Sequence, residues 1–188
     1  AFTSVTYSNL YFREPESRAD QTRMMSIVTT GAETGYYVDV FRSRKEKGGD
    51  KMHDYFYHNL GQTLTLTAAD GSDLNLQSTE ELAFAGAHLY AYSYLYDKKV
   101  AATNKDVKAT FTIDMKDKDG DDIYMNLWMK GEPDREVFTA LAPMTEGLSR
   151  TPNMPYNIKE QPTLTFVARQ HGEAWNRPFV SIYEQIGR

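Results

Sequence analysis

The chain has no cysteine, so neither disulfides nor thiolate-held metals contribute to its fold. It also has no long apolar run: nothing approaches the roughly eighteen uninterrupted apolar residues of a membrane-spanning helix. Concentrated positive charge is missing as well. Lys and Arg number 21 against 26 Asp and Glu, for a net charge of -5, and the densest basic stretch, RSRKEK at 42–47, contains a glutamate. Nucleic acid is therefore not an expected partner, because phosphate binding needs a concentrated basic face. An anionic sugar polymer would need a local positive groove set against the overall charge. No phosphate-cradling motif and no G-x-S-x-G nucleophile elbow occurs. The opening residues AFTSVTYSNLYFRE lack a charged segment followed by an apolar block, so the expectation is a processed or excised chain with no signal peptide attached.

What remains is strand-forming sequence. The 188 residues are 40 % hydrophobic and 13 % aromatic, enough for one well-filled domain over 1–188. Period-two runs dominate: FTSVTYSNLYF, MMSIVTT, YYVDVFR, REVFTALAP, PTLTFVARQHG and RPFVSIYEQ. Two stretches, TLTLTAADGSDLNL and ATFTIDMKDKDGDDIYMNLWM, carry Asp-Gly between alternating arms and predict hairpins. The fold class is therefore all-β, an antiparallel β-sandwich of ten or more strands. The most helix-like window, STEELAFAGAHLYAYSYL, predicts a helical turn at most, followed by a strand on which Tyr90, Tyr92, Tyr94 and Tyr96 alternate. TEGLSRTPNMPYNIKEQP, with three of the seven prolines, predicts a long loop across one end. The acidic run DMKDKDGDD does not fit an EF-hand. With Gly120 at the loop's glycine position, Met115 stands where the first oxygen ligand belongs and Asn126 where the glutamate belongs, so a hairpin turn explains it better.

The most chemically loaded segment is GGDKMHDYFYHNLGQ at 48–62. On a strand, His53, Tyr55 and Tyr57 share one face while Asp54, Phe56 and His58 share the other. The two histidines therefore cannot jointly hold a metal without a bulge. An imidazole beside two phenols suits proton transfer or stacking against sugar rings, and it equally suits an ordinary aromatic strand. Asp39 shares a face with Tyr37 and Phe41. A carboxylate there needs a cation, a donor or the surface.

Three ordered segments resemble a known family. YYVDVFRSR followed by GGDKMHDYFYHNLG is similar to the D-x-F-R…G-G…H-D-Y…H-x-x-G stretch of heparinase II/III-like polysaccharide lyases. LWMKGEPDREVFTALAP and PTLTFVARQHGEAWNRPFVSIYEQ resemble later strands of their β-sandwich region. That resemblance spans about Tyr36 to Glu184. It implies a bacterial, periplasmic or secreted setting and an anionic partner, a uronic-acid polysaccharide such as a glycosaminoglycan or alginate, cleaved by β-elimination. It implies catalytic roles for Tyr55 and, as orienting group, His53. The expected substrate-binding residues are Tyr57, to stack on sugar faces, and Arg42 and Arg44, to pair with carboxylates, with Arg177 as a further cation; Trp175 reads more readily as a turn residue covering the sandwich end than as a stacking surface.

The departures are equally specific. Family members carry a helical toroid, which this chain lacks, so it is expected to be inactive alone and to need that domain as partner. Zinc-bearing members hold a metal with an aspartate that Asp39 resembles and with a His-x-His pair. Here the corresponding stretch, RADQTRMMSIVTT, has no histidine and only His88 follows, so no metal and no cofactor are expected. The alternative reading is a non-catalytic carbohydrate-binding or structural support module. A lipid- or protein-binding sandwich has no feature behind it.

Overall fold

A computed structural model describes residues 4–83, 90–115, 120–152 and 156–186. Among these, twelve strands form two antiparallel sheets stacked as a sandwich. The first sheet has seven strands, ordered β1 (Val5–Arg13), β2 (Asp20–Thr29), β3 (Gly35–Arg44), β12 (Ala174–Ile186), β9 (Ile123–Met129), β8 (Val107–Ile113) and β5 (Thr63–Ala68). The second has five, ordered β4 (Met52–Asn59), β11 (Thr163–His171), β10 (Arg135–Ala142), β7 (Tyr96–Ala102) and β6 (Gln77–Ser78). Among the described residues helix is limited to single turns, Tyr90–Tyr94, α1 (Glu146–Ser149) and α2 (Tyr156–Lys159). No described helix is long and apolar enough to cross a membrane.

Alternation explains the core. Every second residue of β8 and β9 points inward, so Val107, Ala109, Phe111, Leu127 and Met129 are all buried. They meet Leu164, Phe166 and Ala168 of β11 across the sandwich. Each such large side chain contributes on the order of 1.5–3 kcal/mol. A second cluster lies on the outer face of the five-stranded sheet, where Leu82 and Leu95 cover Phe138, Ala140 and Val167. Strand β11 is thus buried on both faces, which accounts for its continuous apolar reading in the sequence.

Two sequence expectations change. The DGSDLNL arm is not the second strand of a hairpin: β5 pairs only with β8, and after the turn at Asp70–Gly71 the chain leaves for the other sheet. Leu74 and Leu76 pack against the central core on the way, and that burial outweighs edge pairing. The tyrosine alternation is also divided, because Tyr90–Tyr94 form a 3-10 turn and the strand begins only at Tyr96. The other expected hairpin is present, with β8 and β9 in register from Val107–Met129 to Ile113–Ile123. The loop after β10 runs through α1 and α2 before β11.

Candidate functional site

Strands β3 and β4 follow one another in sequence but belong to different sheets, so residues 45–51 cross the open end between them. The crossing turns at Gly48 and Gly49, both with positive φ (88° and 72°), a conformation in which a Cβ would be strained. Beneath this turn lies a cleft of about 380 Å³ whose lining includes Gln21, Phe41, Ser43, Lys45, Asp50, Lys51 and His53. Phe56 and Tyr92 add aromatic surface where the cleft wraps the β4 edge. The Nε2 atom of His53 lies 2.5 Å from Asp50 Oδ1, which also accepts the Lys45 backbone N–H. Asp54 is held from the other side: Arg169 donates to both of its oxygens at 2.8 Å and the Tyr92 hydroxyl donates to Oδ2 at 2.7 Å. Arg169 faces Asp54 directly across the β4–β11 ladder.

The expected alternation of β4 is present, but its inner face is not an open one. Tyr55 is 3 % exposed and sits in the central core, its ring 5.6 Å from that of Phe179. Its hydroxyl donates to Asp39 Oδ2 at 2.7 Å and also contacts the hydroxyls of Ser181 and Tyr183. Burial pushes the Tyr55 phenol far above its ordinary pKa, and the neighbouring Tyr183 and Asp39 add to this. A phenol so placed neither reaches a polymer nor ionises near neutrality, which does not fit the catalytic role that the resemblance implies for Tyr55. Tyr57 is corrected likewise. It packs edge-on against Phe111 and beside Tyr183, and burial pushes its pKa up to about 12. Of the three expected residues on this face, only His53 lines the cleft.

Asp39 has the partners its sequence setting required. It is fully buried; Arg23 Nε donates to both carboxylate oxygens at 3.0 Å, and that hydrogen bonding raises the guanidinium pKa. Arg23 comes from β2, the stretch where the resemblance sought histidines. With a guanidinium and a phenol already on the carboxylate, the donor set does not fit zinc. Among the described residues no group of three metal-ligating side chains occurs. His88 lies outside the described residues.

Parity decides where Arg42 and Arg44 lie. Ser43 and Phe41 take the inner positions of β3, so the two arginines occupy the outer face of the sheet. There Arg42 donates to the Trp175 carbonyl oxygen and the Arg44 guanidinium stacks 4.2 Å over the Trp175 ring. Neither lines the cleft. Arg177 lies at a separate surface, paired with Asp134 at 3.0 Å.

The residues of the two clusters that escaped sequence reasoning include Arg23, Ser43, Asp50 and Arg169. The alternation that placed Asp39 and Phe41 on one face already implied Ser43. Asp50, three residues before His53, was also within reach. Arg23 and Arg169 depend on the β2–β3 and β4–β11 registers, which no local pattern reveals.

No family model matches the chain. Over 182 residues, 95 % of its length, it is 31 % identical to an endo-acting ulvan lyase from Formosa agariphila. The chain spans 21 % of that protein. It is thus a β-sandwich segment related to part of a polysaccharide lyase.

Proposed function

We propose that this sandwich is the β-sheet portion of a heparinase II/III-like polysaccharide lyase, exported to the periplasm or beyond and acting on a uronic-acid glycan such as ulvan. The observation that carries this reading is the 31 % identity to an endo-acting ulvan lyase, sustained over 95 % of the chain. In β-elimination a base removes the C5 proton of the uronate, the C4–O bond breaks, a C4–C5 double bond forms and the departing oxygen takes a proton. Such chemistry requires a base, an acid and a group that stabilises the developing negative charge, all within reach of one sugar. This portion supplies at most one of them: His53, oriented by Asp50 at the cleft. Tyr55 serves as a positioning residue, tying β4 to β3 and β12 through Asp39 and Tyr183. The remaining groups come from a helical domain, and without it the proximity on which catalysis depends is lost.

The sealed position of Tyr55 favours one second reading, a carbohydrate-binding or support module with no part in the chemistry. Near-ultraviolet absorbance of the unsaturated product separates the two. With ulvan and the sandwich alone the trace should stay flat. With the helical domain on the same polypeptide it should rise, and His53→Ala should slow that rise at least tenfold. A rise indifferent to His53 leaves only the supporting role; no rise with both parts present overturns the lyase reading.

A further inference from the structure

We infer that the cleft under the 45–51 crossing is a subsite for a single acidic sugar ring, with Ser43 as its floor; this rests on the reading that the chain serves a polysaccharide lyase. Ser43 is 1 % exposed, and its Oγ has no hydrogen-bond partner although it lines the cleft. A buried hydroxyl is normally paired, because leaving it unpaired forfeits its interactions with water. Ser43 is therefore a donor and acceptor free for something that enters. The Gln21 side chain, one strand away and directly opposite Ser43 in the β2–β3 register, likewise lines the cleft and makes no hydrogen bond among the described residues.

Charge selects the kind of sugar. The cleft's carboxylates are occupied, Asp50 by His53 and the Lys45 backbone, Asp54 by Arg169 and Tyr92. The ammonium groups of Lys45 and Lys51 have no carboxylate partner among the described residues. Among the residues lining the cleft, Lys45 and Lys51 balance Asp50 and Asp54, but both carboxylates already have partners, so the two ammonium groups are what an entering anion meets. Phe41 and Phe56 offer apolar wall for the C–H face of a pyranose. A volume of about 380 Å³ lies at the small end of ligand sites, roughly 300–1,000 Å³. That suits one ring with its hydroxyls and one anionic substituent. The substituent is a carboxylate or a sulfate ester; both present the same charged oxygens.

The test titrates the described chain with sodium glucuronate, glucose 6-sulfate, glucose and inorganic sulfate, following backbone amides by two-dimensional NMR. Saturable shifts at Gly48, Gly49 and Lys51 are expected with one or both acidic sugars, and which of the two responds identifies the substituent. Glucose and inorganic sulfate should each bind at least tenfold more weakly. Ser43→Ala, which removes only an unpaired hydroxyl, should leave the melting temperature unchanged while weakening acidic-sugar binding about threefold to tenfold, the worth of one hydrogen bond. Lys51→Ala should weaken it with a reduced salt dependence. Equal binding of glucose, inorganic sulfate that matches the sugars, or unchanged affinity in Ser43→Ala overturns the inference. So do acidic-sugar shifts confined to other surfaces, such as Trp128 and Trp175. Any of these leaves the lyase reading standing so long as the two-domain absorbance trace still rises.

Discussion

Two polar clusters lie on the same pair of strands, four residues apart on β3 and two apart on β4. Around Asp39 and Tyr55 every oxygen is matched: a guanidinium takes both carboxylate oxygens, and three hydroxyls close the rest. Around Ser43 and His53 the matching stops, leaving an unpaired hydroxyl and two lysines without carboxylates beside an open cavity. The sequence motif points at the first cluster, because a tyrosine and an aspartate resemble catalytic groups. The unpaired Ser43 hydroxyl points at the second. A closed network is architecture, and an incomplete one is where a ligand has something to add.

Mutations can break this contrast. Arg23→Met should have the largest effect, about 3 kcal/mol in urea unfolding, since it leaves the Asp39 carboxylate buried with no cation. Arg44→Met on the outer face should cost well under about 1 kcal/mol in the same measurement. Tyr55→Phe should cost about 1–2 kcal/mol, the loss of a buried hydroxyl bonded to a carboxylate. Alkaline titration sharpens the contrast. Tyr55, Tyr57 and Tyr183 all have pKa values raised above the ordinary phenol, chiefly by burial. The folded state therefore holds protons that the unfolded chain releases near pH 10. The tyrosine contribution to stability should be level below about pH 10 and fall above it, and less steeply in Tyr55→Phe. Smallest of all, Ser43→Ala should change stability by no more than about 0.5 kcal/mol, since no protein hydrogen bond is lost.

The all-β class was legible because period-two alternation is local, and β8 and β9 could be paired from their turn. The fate of the DGSDLNL arm was not, because Leu74 and Leu76 choose the core only once both sheets exist. The site followed the same division. Alternation placed His53, Tyr55 and Tyr57 correctly on one face of β4, and the need of Asp39 for a partner could be stated from its neighbours. Which face was sealed could not, since that depends on β4 stacking over β3 and β12, more than a hundred residues apart in the chain. The outward position of Arg42 and Arg44 was legible too, since parity with Asp39 already sends them to the other face.

Strand β1 is the terminal strand of its sheet, and all nine of its residues are exposed, including Tyr7, Leu10 and Phe12. It is tied to the molecule through β2, by their ladder and by the contacts of Tyr11 and Arg13 with Asp20. The free energy needed to peel it away is therefore far below that of global unfolding, and its amide protons should exchange with deuterium well before those of β3 or β11. Its unpaired rim of backbone groups is also the place where a concentrated solution of this protein would begin to self-associate.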